Sequence, residues 1–130
     1  MSDNPYACQC GCGLDATSTS VKSFIGRMRA HFEDLRVISG TRCDQHNRAI
    51  GGSALSGHKP IWGPDGKESV AVDVTLVNWS DGRMKFLCAE GVRQGAMGVC
   101  FNRAGRSVHF DLKPRTWWAK RENGKYVDFF

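Results

Sequence analysis

Residues 69–76 read SVAVDVTL, and this stretch decides the kind of fold that the chain adopts. Three valines and Leu76 alternate with small or polar residues, which is the period-two pattern of a β-strand with one buried face. Asp73 falls on the face opposite the valines. The pattern therefore predicts a carboxylate on the open face of a sheet, where it is available for binding.

Helices and further strands are predicted on both sides of this strand. Hydroxyl residues at 17–20 are candidate N-caps, and apolar residues recur at three- and four-residue steps from Val21 through Phe32 to Leu35, which indicates an amphipathic helix. The other predicted elements are a short strand at 37–38, a helix over 44–49, a helix from Ser80 or Asp81 to Arg93, and a hairpin of 96–101 and 107–112. We expect an α+β fold in which residues 1–130 form one domain, with a small antiparallel sheet and packed helices.

Composition excludes several classes of protein. The chain has 130 residues and 41% hydrophobic content, enough for one ordinary domain, and it lacks an apolar run of the length that a membrane span needs. Its net charge of +5 favours an anionic partner, but the basic residues are scattered, so no nucleic-acid partner is expected. Residues 1–5 lack the features of a secretory signal, and we expect cytoplasmic synthesis without a signal peptide and no membrane insertion.

Two histidines and one aspartate form a candidate metal-ligand set. His109 lies in the strand pattern of residues 107–111, and His58 and Asp73 precede it along the chain. Two imidazoles and one carboxylate leave one position of a tetrahedral zinc ion open for water, which is typical of hydrolytic rather than structural sites. The sequence therefore points to an enzyme.

The cysteines permit more than one interpretation. Cys8, Cys10 and Cys12 form a C-x-C-x-C run, whereas structural zinc sites usually space their paired cysteines more widely. Reduced thiols, a zinc knuckle and a bridge from this run to Cys43 all remain open, and no disulfide is assigned.

Five ordered segments make the chain similar to a known family. They are 39–47 (SGTRCDQHN), 50–52 (IGG), 56–58 (SGH), 71–74 (AVDV) and 108–111 (VHFD). Together they resemble the zinc D-alanyl-D-alanine carboxypeptidase family in its small phage and bacterial branch, which shares its fold with hedgehog signalling domains. The resemblance implies that His58, Asp73 and His109 bind zinc. It also implies that Ser56 and Arg42 hold the substrate, with Arg42 placed to polarise the scissile carbonyl.

The chain departs from the family pattern between its first two ligands. Relatives usually join them by a much shorter link, whereas fifteen positions separate His58 from Asp73 here. The additional residues are rich in turn formers and are predicted to form a loop beside the cleft. Trp62 in this loop is a candidate substrate contact, or it pins its own loop to the core.

A second departure concerns the general base. Many relatives carry an acidic residue three positions before the last histidine, but Arg106 occupies that position here and cannot accept a proton. Asp111 is the first candidate base, since residue i+2 of a strand lies on the same face about 6 to 7 Å away. Glu68 and Asp65 are the others, and Asp111 could instead orient an imidazole.

The resemblance implies a zinc metallopeptidase that acts on peptidoglycan stem peptides, either as a DD-carboxypeptidase or as an LD-endopeptidase of the endolysin type. We expect a monomer that acts on the bacterial cell wall, in the host periplasm if it is phage-encoded. The alternative is a non-catalytic, zinc-containing module that binds cell wall or protein. Trp117 and Trp118 are expected to close the core at the carboxyl end.

Overall fold

The computed structural model describes residues 4–113, 117–122 and 125–128. Within these residues, the helices and strands up to residue 111 follow the order that the sequence predicts, and the α+β class is confirmed. The elements are α1 (Thr19–Arg29), β1 (Leu35–Ser39), α2 (Asp44–Ala49), β2 (Ala71–Leu76), α3 (Asp81–Arg93), β3 (Gly98–Asn102), β4 (Ser107–Asp111), β5 (Trp117–Glu122) and β6 (Lys125–Asp128). The side chains of Trp117 and Trp118 lie outside the described part of the chain. The helices that are described are too short or too polar to cross a lipid bilayer.

The strands form one sheet in the order β1-β2-β4-β3-β5-β6. The first four strands of this order pair antiparallel, which confirms the predicted antiparallel sheet. Strand β5 adds a parallel pair with β3, and β6 pairs antiparallel with β5. Strand β4 lies between β2 and β3, so it has no free edge. The next strand, β5, therefore pairs with the free edge of β3.

One face of the sheet forms the hydrophobic core against α1 and α3. Phe24, Ile25 and Met28 of α1 pack with Leu87 of α3, and all four are buried. The sheet contributes its alternate residues to the same cluster: Val72, Val74, Val99, Phe101, Val108 and Phe110. Because side chains alternate along a strand, the intervening residues Asp73 and His109 lie on the opposite face, away from α1 and α3.

Helix α1 is shorter than the apolar periodicity predicts. It begins after the N-cap Ser18 and ends at Arg29, although Phe32 and Leu35 remain buried. A turn follows in which the Leu35 amide donates to the Phe32 carbonyl at 3.0 Å. The Asp34 carboxylate anchors that turn by accepting both guanidinium nitrogens of Arg83, at 2.7 and 2.8 Å. The apolar periodicity of the sequence continues beyond the end of the helix because Phe32 in the turn and Leu35 in β1 pack into the same core.

Gly91 of α3 lies so close to the sheet that it leaves no room for a side chain. A Cβ atom there would lie 2.1 Å from Phe110 Cε1, and Phe110 is also in edge-on contact with Phe24. Gly91→Ala is therefore expected to destabilise the protein by about 1 to 3 kcal/mol through overpacking, measured by urea unfolding. Gly82→Ala in the same helix is the matched control, since nothing lies within 4 Å of its Cβ position. Equal stability of the two variants would contradict this account of the packing.

Candidate metal centre

Strand register brings two of the candidate ligands together. Asp73 of β2 and His109 of β4 are direct partners across the antiparallel pair, on the face away from α1 and α3. Their Oδ1 and Nδ1 atoms lie 2.9 Å apart. The alternation along each strand determines which face each of the two side chains occupies. The register between the strands determines that the two side chains lie opposite each other.

His58 reaches the same point from the segment between α2 and β2. Its main chain is held on both sides, because its carbonyl accepts the Arg42 amide at 2.8 Å and its amide donates to Ser56 Oγ at 3.2 Å. The ring Nδ1 lies 2.6 Å from the Gly40 carbonyl, and the side chain is almost completely buried. His58 Nε2 is thereby directed at Asp73 and His109, 3.2 Å from the facing atom of each.

The three facing atoms have the spacing and chemistry of a zinc-ligand set. In a tetrahedral zinc site with bonds of about 2.0 to 2.2 Å, neighbouring ligand atoms lie about 3.3 to 3.6 Å apart. The separations of 2.9, 3.2 and 3.2 Å between the Asp73, His58 and His109 atoms are slightly shorter. Side-chain shifts of a few tenths of an ångström would bring them into that range. The three residues could therefore hold a metal ion.

Hydrogen bonds on the outer side of each ring select the tautomer that a metal needs. The Gly40 carbonyl can only accept, so His58 carries its proton on Nδ1 and presents the lone pair of Nε2. The Asp111 carboxylate accepts a hydrogen bond from the Nε2–H group of His109 at 3.1 Å, which leaves Nδ1 of that ring to face Asp73. Both imidazoles are thus oriented by an acceptor, as metal-binding histidines generally are.

The electrostatics favour a cation at this point. Burial tends to raise the pKa of Asp73, but its electrostatic interaction with the nearby His58 ring and a hydrogen bond to His109 hold that pKa well below its usual range. Burial tends to lower the pKa of His109, but hydrogen bonds to Asp111 and Asp73 raise it to about 9. His109 therefore carries an additional proton in the metal-free protein, and a metal ion must displace this proton when it binds. The affinity of the protein for the metal should consequently fall as the pH falls.

Asp111 lies behind His109 rather than beside the other two ligands. It is buried, with one oxygen near His109 Nε2 and the other accepting the Lys113 amide at 3.2 Å. Both oxygens are therefore engaged on the side of the ring away from Asp73. Of the two roles that the sequence leaves open for Asp111, these contacts favour orientation of the imidazole.

The alternative bases lie on the inserted loop. Asp65 is exposed, and its Oδ1 accepts the Lys67 amide at 3.0 Å within the same turn. Glu68 is half-buried, and its backbone pairs with that of Trp62 at the base of the loop. That Asp65 or Glu68 acts as the general base remains a prediction.

Arg42 is attached to the site through its backbone and its side chain. Its amide donates to the His58 carbonyl, and its guanidinium Nη1 donates to Asn47 Oδ1 at 2.9 Å. Asn47 is buried in α2, and its amide group donates to the Ser53 carbonyl at 2.9 Å. The sequence analysis did not identify Asn47 as a residue that positions Arg42. The available signal was a polar amide side chain inside a short helix.

Ser56 and Trp62 lie at the start of the inserted loop. Ser56 accepts from the His58 amide through Oγ, and its carbonyl accepts Trp62 Nε1 at 2.9 Å. The Lys113 ammonium lies 5.5 Å from the centre of the Trp62 ring. Trp62 therefore pins its own loop next to the candidate ligand His58, while its ring stays partly exposed.

A second cluster of potential metal ligands lies apart from this set. Cys8, Cys10, Cys12 and Cys43 place their sulfur atoms within 4.8 Å of one another, and all are free thiols. The structure thus places Cys43 beside the C-x-C-x-C run, with the four cysteines as free thiols and not joined by a disulfide bridge.

His58, Asp73 and His109 together form a group that could hold one metal ion in an α+β fold. The family model described as Peptidase M15 matches residues 4–111, and the chain belongs to this family of zinc metallopeptidases. No curated protein and no solved structure matches the chain. The match covers the whole segment from the cysteine run to Asp111, so it includes all three candidate ligands.

Proposed function

We propose that the protein is a zinc-dependent peptidase that hydrolyses peptide bonds in peptidoglycan stem peptides, with His58, Asp73 and His109 as its zinc ligands. The observation that carries this proposal is the triangle of Nε2, Oδ1 and Nδ1 atoms, in which both imidazoles have their tautomer fixed from behind. The whole chain, residues 1–130, would serve as one peptidase domain, acting as a monomer.

When bound, zinc would activate a water molecule and polarise the scissile carbonyl. The residues around it have separable tasks. The Gly40 carbonyl and the Asp111 carboxylate hold the two imidazoles in orientation, which keeps the site preorganised. Arg42, whose amide is bonded to the His58 carbonyl, would direct its guanidinium at the oxygen on which negative charge develops.

Membership of the family and the charge of the chain both support this substrate class. A net charge of +5 suits an anionic polymer such as a bacterial cell wall with acidic stem peptides. Within this class, the protein would act either as a DD-carboxypeptidase or as an LD-endopeptidase, on the wall itself and in the host periplasm if it is phage-encoded. Ser56 and Trp62 would contact the substrate at the rim of the cleft.

The test is digestion of purified peptidoglycan, with the soluble products identified by mass spectrometry. Release of terminal D-alanine would identify a carboxypeptidase, and release of cross-linked or stem fragments would identify an endopeptidase. A chelator should abolish either reaction, and added zinc should restore it. Binding to peptidoglycan with no product at any zinc concentration would replace the proposal with a non-catalytic binding module.

We expect the inserted loop to act on substrate binding and not on the metal. Deleting residues 60–67 removes the hydrogen bond from Trp62 to the Ser56 carbonyl and the wall that Trp62 forms. Zinc content should be unchanged, while KM on a defined stem peptide should rise about tenfold, equivalent to roughly 1.4 kcal/mol of lost contacts. The value of kcat should change little if Glu68, which the deletion keeps, is the general base; a large loss of kcat with zinc retained would assign that role to Asp65.

A milder variant serves as the control for this deletion. Trp62 and Glu68 pair through two backbone hydrogen bonds of 2.8 and 2.9 Å, so replacing residues 63–67 by Asn-Gly keeps the base of the loop and Trp62 itself. This variant should keep the wild-type KM. Loss of zinc from the full deletion would show that the loop is part of the metal site.

A further inference from the structure

The four clustered cysteines come from two distant parts of the chain. Cys8, Cys10 and Cys12 lie in the turns that precede α1, and Cys43 lies between β1 and α2. The sulfur atoms of Cys8 and Cys10 are 3.5 Å apart, and those of Cys10 and Cys43 are 3.6 Å apart. The cluster is separate from the His-Asp-His set, and the proposed hydrolysis does not use it.

The spacing of the sulfur atoms suits a shared metal ion. A disulfide would bring one pair to about 2.05 Å and leave the others apart. In a tetrahedral zinc site of four thiolates, with bonds of about 2.3 Å, neighbouring sulfur atoms lie about 3.8 Å apart. The observed separations of 3.5 and 3.6 Å are near this value, and all four sulfur atoms lie within 4.8 Å of one another.

The backbone explains how a C-x-C-x-C run can supply three ligands to one point. In an extended strand, residues two apart would be separated by about 6 to 7 Å. Gly11 and Gly13 instead have φ angles of 93° and 77°, a left-handed conformation that turns the chain after Cys10 and again after Cys12. The Cys8 amide donates to the Leu14 carbonyl at 2.7 Å and closes the loop that results.

Backbone donors are directed at two of the sulfur atoms. The Cys43 amide lies 3.4 Å from Cys8 Sγ, and the His46 amide lies 3.4 Å from Cys43 Sγ. An N–H group directed at sulfur stabilises the thiolate, which is the form that binds a metal. The first of these contacts also joins the two parts of the chain that supply the ligands.

We propose that Cys8, Cys10, Cys12 and Cys43 bind a second zinc ion, closed to solvent ligands, which fastens the amino-terminal segment to residues 40–43. Four sulfur ligands leave no open position, so the ion is structural. The fastened segment carries groups of the first site: the Gly40 carbonyl faces His58 Nδ1, and the Arg42 amide is bonded to the His58 carbonyl. On the other side, the Thr41 amide donates to the Tyr6 carbonyl at 2.7 Å, next to the cysteine run.

The proposal is tested by metal content and by cobalt spectroscopy, both independent of any peptidase assay. The wild-type protein, purified under reducing conditions, should contain two zinc ions per chain. The double variant Cys10→Ser, Cys12→Ser should contain one, and so should His109→Ala, each having lost a different ion. Cys88→Ala is the matched control and should keep both, since Cys88 is buried in the core beside Met84.

Cobalt substitution of the wild-type and His109→Ala proteins identifies the ligands even if the cysteine variant does not fold. Both proteins should show thiolate-to-cobalt charge-transfer bands in the near ultraviolet and the intense visible bands of a tetrahedral thiolate site. Absence of these bands, iron in place of zinc, or an intact mass showing that the cysteines are joined in disulfides would each overturn the proposal. Because the bands of His109→Ala come from the cysteine site alone, this result is separate from the success or failure of the proposed peptidase activity.

Discussion

His109→Ala is expected to contain one zinc ion fewer per chain than the wild type and to lose at least about 10³-fold in kcat/KM on peptidoglycan peptides. Three interactions meet at this ring, since Nδ1 faces both His58 and Asp73 and Nε2 faces Asp111. Removing it leaves two ligands for the metal, and a metal that polarises a carbonyl supplies several kcal/mol to the reaction. Metal analysis and single-turnover kinetics on the same preparation measure the two effects.

His31→Ala is the matched control for this loss. His31 is a half-exposed histidine whose Nε2 pairs with Glu90 at 3.1 Å on the surface of the helices. It should keep the wild-type zinc content and activity. If His109→Ala kept all of its zinc, the proposed ligand set would be wrong, and if it lost zinc but kept its activity, the hydrolysis would not depend on this metal.

Local sequence patterns were sufficient to predict the sheet that carries the site. The alternation in residues 69–76 placed Asp73 opposite the valines, and β2 indeed buries Val72 and Val74 while Asp73 stays partly accessible. The predicted bounds of the helix over 44–49 are also confirmed, because Cys43 and the glycines at 51 and 52 flank it on either side. In each case, the signal lies within a few residues of the element that it predicts.

Long-range arrangements were less accessible from the sequence. The register that sets Asp73 directly across from His109 depends on which strands pair, and alternation within one strand cannot specify that. The position of His58 beside Asp73 and His109 depends on the Gly40 carbonyl and the Arg42 amide, which lie far from His58 along the chain. The meeting of Cys43 with the cysteine run depends on left-handed glycines, whose effect on three sulfur atoms appears only in three dimensions.

Residues 40–43 connect the two candidate metal sites. This segment faces His58 through the Gly40 carbonyl and the Arg42 amide, and it faces the cysteine cluster through Cys43. Its approach to the amino-terminal segment is close, since a Cβ at Gly40 would lie 2.7 Å from the Cα of Tyr6. A change that loosens the cysteine cluster should therefore also disturb the candidate metal ligand His58 through this segment, although the cysteines do not contact that residue's ring.

Asp111→Asn separates the two roles that have been considered for this carboxylate, and its effect should be among the largest of any conservative change. If Asp111 orients His109, an amide in its place removes the charge behind the ring, and zinc affinity should fall about 10- to 100-fold. Saturating zinc should then restore most of kcat. If Asp111 is the general base instead, zinc affinity should stay unchanged and kcat should fall about 10²- to 10⁴-fold at any zinc concentration.

The geometry predicts the first of these outcomes, because one Asp111 oxygen lies 3.1 Å from His109 Nε2 and the other accepts the Lys113 amide. Zinc titration with a competing chelator, followed by kcat at saturating zinc, makes the distinction directly. Glu68→Gln and Asp65→Asn are measured in parallel, since a base on the inserted loop would show the kcat loss there with zinc affinity intact. If Asp111→Asn lost kcat and saturating zinc did not restore it, Asp111 would be the general base. The contacts of Asp111 with the far side of the His109 ring would then not be those of the reacting enzyme.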